Sequence, residues 1–170
     1  MHIVVATDGS LDPAKTASLV SSHAEGSTIT VLTVVEIPRR LLADLREVYG
    51  ERSGPVVDAD GEYVGAAPQQ PGVTFDFPGE DAIIEQYLTN QLDERTGPLV
   101  AALKAASLEP NVEILDGENG AKLILDYLRA KKADLVVLGA RGRGLFEGMI
   151  GSTGTKVARL APCSVLLVRE

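Results

Sequence analysis

The chain carries 170 residues and a formal net charge of −8, with 16 Lys and Arg against 24 Asp and Glu. That length suits one domain with a full hydrophobic core, and the acidic balance argues against non-specific binding to nucleic acid or anionic membrane, which needs basic patches. A single cysteine, Cys163, excludes an internal disulfide and a multi-thiolate zinc site, and two histidines, His2 and His23, leave little for a metal cluster or a Ser-His-Asp centre.

The elements alternate. Ile3–Ala6 is a short apolar run that ends at Thr7-Asp8-Gly9-Ser10 and reads as the first strand. It meets Asp8 too soon for a signal peptide, and no later run approaches a membrane span, so the expected compartment is the cytoplasm. Asp12-Pro13 is an N-cap followed by proline at N1, which predicts a helix to about Ser22. Thr28–Val35 is the second strand. From Pro38 to Gly79 the chain is rich in Gly and Pro, with room for a short helix over Leu41–Tyr49 and a hairpin from Val56 to Val64 around an Asp-Gly turn. Asp81 to Ala106 has helical spacing, and Gly97-Pro98 should kink or break it. Val112–Leu115 is a short strand, and Ala121, Ile124, Leu125 and Leu128 place a helix over about Gly120–Lys131. Leu135–Leu138 is continuously apolar, as a strand covered on both faces should be. A last helix should begin near Ser152, and Ser164–Val168 is the last strand. The expected fold is α/β: an open, five-stranded, mainly parallel sheet with helices on both faces and an insertion at residues 39–80 after the second strand.

The chemistry concentrates in one loop. Five glycines fall between positions 139 and 151, after a buried strand and before a helix. Glycine lets a ligand approach the backbone without a Cβ in the way. Gly151, Ser152 and Thr153 sit where the helix starts, and their amides lack intrahelical acceptors, so an anion is favoured there. The alternative is a surface loop with an ordinary serine cap. The P-loop pattern and the dinucleotide fingerprint are both absent.

The loop resembles the signature of the universal stress protein family, Gly-x2-Gly-x9-Gly-[Ser/Thr]. Here Gly139-x2-Gly142 is followed by Gly151-Ser152 with a spacer one residue shorter. The opening Ile3–Ser10, the second strand Leu32–Val35, the run Ala133–Gly139 and the ending Ala161–Val168 are also similar to the family. The resemblance covers residues 1–38 and 110–170, whereas 39–80 does not match. It implies an adenine-nucleotide α-hydrolase-like, Rossmann-like domain that binds ATP, with Mg²⁺, across the carboxyl ends of the strands. By position it implies Asp8 beside the adenosine or the Mg²⁺, Val34 offering its backbone to adenine, Gly139 facing the ribose, and Gly142, Gly151, Ser152 and Thr153 holding phosphates. Arg141 and Arg143 are candidate phosphate partners by charge, or simply solvated side chains. The resemblance further implies a homodimer through Val165–Val168.

Three functions fit this pattern to different degrees. The first is a nucleotide-binding stress-response regulator with slow or no hydrolysis, because Glu147 is the only carboxylate in the glycine loop. The second is an adenylating enzyme of the related fold, of which Asp8-Gly9-Ser10-Leu11-Asp12 is a partial echo. A receiver domain fits least, since no lysine follows the last strand. Asp58 and Asp60 read as a hairpin turn, since the other ligands of a calcium loop are missing. Cys163, ahead of a buried strand, reads as a small core residue.

Overall fold

A computed structural model describes residues 1–37, 56–57, 63–65, 79–140 and 151–169. The main-chain elements are β1 (His2–Ala6), α1 (Pro13–Ser21), β2 (Thr28–Val35), β3 (Val56–Val57), β4 (Tyr63–Gly65), α2 (Gly79–Ala105), β5 (Asn111–Asp116), α3 (Gly120–Ala130), β6 (Leu135–Gly139), α4 (Ser152–Leu160) and β7 (Ser164–Val168). Residues group into two compact units, Met1–Glu36 with Tyr87–Glu170, and Ile37–Gln86.

The first unit holds a five-stranded sheet in the order β5-β2-β1-β6-β7. Each neighbouring pair is parallel, so the mainly parallel sheet expected from the sequence is wholly so among the described strands. Alternation along the strands sends side chains to two cores. Ile3, Val5, Ile29, Val31, Leu135 and Val137 join Ala17 and Val20 of α1 and Leu99 and Leu103 of α2 on one face. Val4, Ala6, Leu32, Val136 and Leu138 meet Ile124, Leu125 and Leu128 of α3 and Val157 of α4 on the other. A period of two in the strands and 3.6 in the helices gives this sandwich. Cys163 packs, partly buried, against the second core, and burial pushes its thiol pKa up, as suits an unreactive core residue.

Helix starts follow local chemistry. The Asp12 carboxylate accepts the Lys15 amide hydrogen at 2.7 Å, with Pro13 just inside α1. Asn119 accepts the Lys122 amide hydrogen at 3.1 Å at the head of α3. Of the kink or break expected at Gly97-Pro98, the break does not occur: α2 runs through Pro98 to Ala105, as the helical spacing of 81–106 suggests. Proline removes the donor to the Glu94 carbonyl, and Glu94, Gly97 and Pro98 all lie on the exposed side of the helix. Leu99 and Leu103, almost wholly buried, hold the following turns on the sheet. Packing outweighs proline's local cost here.

In the second unit β3 and β4 pair antiparallel, Val56 opposite Gly65 and Val57 opposite Tyr63, as the hairpin pattern suggests. Its turn, with Asp58 and Asp60, and the short helix expected over Leu41–Tyr49 lie outside the described residues.

Candidate functional site

The chain leaves β1 toward β2 and β5 on one side, and returns to β6 and β7 on the other. Strand order therefore reverses between β1 and β6, the place where open α/β sheets form a ligand crevice. A cavity of about 560 Å³ lies at this point. Ala6, Leu32, Leu138 and Ile124 supply apolar lining, and Asp8, Glu36, Glu118 and Arg95 supply charge. The size suits a small-molecule ligand.

Four short segments build its walls. After β1, Thr7 Oγ1 accepts the Gly9 amide hydrogen at 3.0 Å, and Asp8 Oδ1 accepts the Ser10 amide hydrogen at 3.0 Å and the Ser10 hydroxyl at 2.5 Å. Gly9 has φ +88°, which a side chain would resist. This turn fixes the Asp8 carboxylate at the mouth of the cleft.

At the end of β2 the backbone direction matters more than the side chain. The Val35 carbonyl accepts the Gly117 amide hydrogen at 3.0 Å on the β5 side. Alternation turns the N–H and C=O of Val34 the other way, toward β1, which has already ended at Ala6. These groups therefore face the cleft, and the Val34 carbonyl accepts a hydrogen bond from Arg95 Nη1 at 2.9 Å.

After β5, Gly117 takes φ +150°, a conformation that side chains rarely adopt, and a Cβ there would also press on Leu123 Cδ1 at 3.0 Å. Gly117 and Gly120 both line the cavity. After β6, the Ala140 amide donates to the Val168 carbonyl at 2.8 Å, and the Gly151 amide donates to the Ala140 carbonyl at 3.0 Å. The two ends of the glycine loop are thus tied together on the sheet. Gly151 caps α4 without a side-chain hydrogen bond, leaving Ser152 and Thr153 exposed at the rim. A smaller recess of about 440 Å³ adjoins the cleft, lined by Glu118, Asn119, Ser152, Thr153 and Lys156. The first amides of α4, with Lys156 one turn on, offer donors and positive potential.

Of the residues singled out in the sequence, Asp8, Val34, Gly139, Gly151, Ser152 and Thr153 all line this one cavity. Arg141, Gly142, Arg143 and Glu147 lie outside the described residues. Sequence reasoning missed Arg95, Glu36, Gly117, Glu118 and Lys156. Asp116-Gly117-Glu118-Asn119 carried a signal, a turn ending in a helix cap. Arg95 carried none, because only the strand order brings α2 to the end of β2.

A family model described as the universal stress protein family matches residues 1–169. A universal stress protein of Thermus aquaticus is 34% identical over 95 residues, which is 55% of this chain and 69% of that protein. One from Mycobacterium tuberculosis is 33% identical over 103 residues, 59% of this chain but 30% of that longer relative. Among solved structures, the universal stress protein from Archaeoglobus fulgidus in complex with dAMP superposes with a TM-score of 0.53. That match has 18% identity and covers 98% of this chain and 96% of that one, and it shows a shared fold.

Proposed function

The chain belongs to the universal stress protein family, and on that premise we propose that its cleft binds an adenine nucleotide, ATP with Mg²⁺, as a regulatory ligand. One observation carries the reading. The exposed backbone edge of Val34 and the amide-rich start of α4 open onto the same partly apolar cavity. An aromatic base suits the apolar lining, and a polyphosphate suits the helix start. The cleft's glycines let the ligand approach the backbone closely. The neighbour from Archaeoglobus fulgidus, solved with dAMP, supports the choice of adenine.

In this reading Asp8 holds Mg²⁺ together with the phosphates. One carboxylate plus ligand oxygens is how that ion is commonly bound. Gly139 faces the ribose, and Gly151, Ser152 and Thr153 hold phosphates with Gly142, Arg141 and Arg143. Hydrolysis is slow or absent, and the protein acts through its nucleotide state. The second unit, which takes in the 39–80 insertion, is part of the same functional chain. Assembly is a homodimer through β7. That strand closes one end of the sheet order, and Val165, Leu166 and Leu167 are only half-buried.

The test is direct. The purified protein is denatured and its released small molecules are chromatographed, then the nucleotide-free protein is titrated with Mg-ATP by calorimetry. Micromolar binding, weakened by Gly142→Asp, is the expected result. No retained nucleotide and no heat would overturn the reading.

A further inference from the structure

We propose that His2, Thr30 and Tyr127 form a proton-triggered relay at the end of the sheet opposite the cleft: when the His2 ring takes up a proton, the Thr30 hydroxyl reverses and becomes the partner of the Tyr127 hydroxyl. The relay stands apart from the nucleotide reading.

Its parts meet where the strands begin. His2 opens β1, Thr30 and Glu113 lie near the starts of β2 and β5, and Tyr127 comes from the last turn of α3. The His2 backbone is fixed: its amide donates to Asp134 Oδ2 at 2.6 Å, and its carbonyl accepts the Asp134 amide hydrogen at 2.9 Å. Ring atom Nδ1 lies 3.4 Å from the Lys131 carbonyl, and Nε2 lies 3.0 Å from Thr30 Oγ1. A carbonyl only accepts, which assigns the hydrogen of the neutral ring to Nδ1. Nε2 then accepts, and it takes the one hydrogen that the Thr30 hydroxyl has. Thr30 and Tyr127 are both buried. The Tyr127 hydroxyl is left without a partner among the described residues, although the Glu113 carboxylate and the Thr30 hydroxyl both act on it.

A proton on the ring reverses this order, because both ring nitrogens then donate. Nε2–H points at Thr30 Oγ1, and the threonine hydrogen is released toward Tyr127 Oη. Tyr127 in turn offers its own hydrogen to Glu113, whose Oε1 is 3.5 Å from Lys131 Nζ. A buried hydroxyl gains partners, and the end of α3 is drawn toward β2 and β5. The charged groups around the ring are Asp134 ahead of β6, Glu113 on β5, Lys131 just past α3 and the amino group of Met1. Tyr127 and Cys163, which senses Asp134, are the other titratable neighbours. The relay favours the folded cation, so its contribution is present in acid and is lost as pH rises through the imidazole range, about 6.5.

Urea melts of the full chain at about pH 5 and about pH 8 bracket that range. They compare the parent, Tyr127→Phe, His2→Gln and the double variant. At the higher pH Tyr127→Phe should match or exceed the parent. In acid its unfolding equilibrium should shift against it by a further factor of about three to ten, the worth of one hydrogen bond. In the His2→Gln background, Tyr127→Phe should have the same effect at both pH values. Thr30→Val removes the middle link and should flatten the difference as well, and it carries the test if His2→Gln fails to fold. A merely structural tyrosine would show one effect of Tyr127→Phe at both pH values in the parent, and that result overturns the relay. A pH-dependent effect that survives in both His2→Gln and Thr30→Val would place the proton on another group and overturns it too.

Discussion

The Leu32 carbonyl accepts the Thr7 amide hydrogen at 2.9 Å, and this bond is the final rung of the ladder between β1 and β2. Beyond it β2 runs on alone along that edge, and the turn at Asp8 swings away toward α1. On the far side of β1, the Ala140 amide is tied to the Val168 carbonyl, so the chain just past β6 turns its amide to β7 and not to β1. The crevice follows from these two divergences. Backbone groups that a longer β1 would have paired are left facing a cavity, where polar groups stay satisfied only with a side chain, water or a ligand. Arg95 fills that role at Val34.

Ser152 separates binding from stability. It is exposed at the first position of α4, so a carboxylate there faces the positive end of the helix dipole. Ser152→Glu should leave stability unchanged or raise it by about 0.3–1 kcal/mol. The same charge should repel a phosphate and weaken Mg-ATP binding by at least about tenfold. Calorimetric titration with a parallel urea melt checks both. Equal affinity in the variant would place the phosphates elsewhere.

The alternation of β7 gives a test of assembly. The Ser164 amide and the Val168 carbonyl bond to the β6 side, so the N–H of Leu167 points outward. Leu167→Pro removes that outward donor without taking a bond from the β6 ladder, and the preceding residue is already extended. Sedimentation should show a dimer for the parent chain and a monomer for the variant. A variant dimer as tight as the parent would put the interface off this edge.

The scaffold was legible because its signals are local and agree with one another. The strands Thr28–Val35 and Ser164–Val168 match their apolar runs residue for residue, and Asp12-Pro13 and Gly120 mark their helix starts. The helix over 81–106 was legible from its spacing, but whether it would survive Pro98 was not, because that depends on Leu99 and Leu103 finding the sheet. The cleft was legible where it is made of loops that follow strands, as at Asp8, Gly139 and Gly151. It was hidden where it depends on which strand ends first. Arg95 is sixty-one positions from Val34, and nothing in either neighbourhood announces the other.

The core on the α1 and α2 face should dominate stability over anything on the surface. Leu103 is wholly buried, whereas Leu160 is 56% exposed. Leu103→Ala should cost about 2–5 kcal/mol through lost burial and the cavity it leaves. Leu160→Ala should stay within about 0.5 kcal/mol. Urea unfolding of the two variants measures both, and a small loss at Leu103 would mean that this part of α2 does not pack on the sheet.

Tyr127 carries the pH dependence that can be traced to one group. Its side chain is buried, and its hydroxyl has no hydrogen-bond partner among the described residues. Burial first, and the neighbouring Glu113 carboxylate second, push its pKa from 10.0 up to about 12, against a smaller opposing effect of the Thr30 hydroxyl. Lys131 Nζ lies 5.5 Å from the ring centroid and 3.5 Å from Glu113 Oε1, so it tempers that carboxylate without removing it. The folded state thus holds the phenol proton more tightly than the unfolded chain does. Between the unfolded value and the folded one, the unfolded chain has released this proton and the folded one has not. The contribution is complete below pH 10 and is lost as pH rises toward 12. Tyr127→Phe has no such proton. At pH 7 it should equal the parent or exceed it by about 1 kcal/mol, since a buried hydroxyl without a partner is removed. Above pH 10 the gap should widen in the variant's favour by about 1–2 kcal/mol. All other side chains are common to both chains and cancel in the difference. Urea melts of the pair across that window measure the gap, and a gap that stays constant would show that the Tyr127 hydroxyl reaches water.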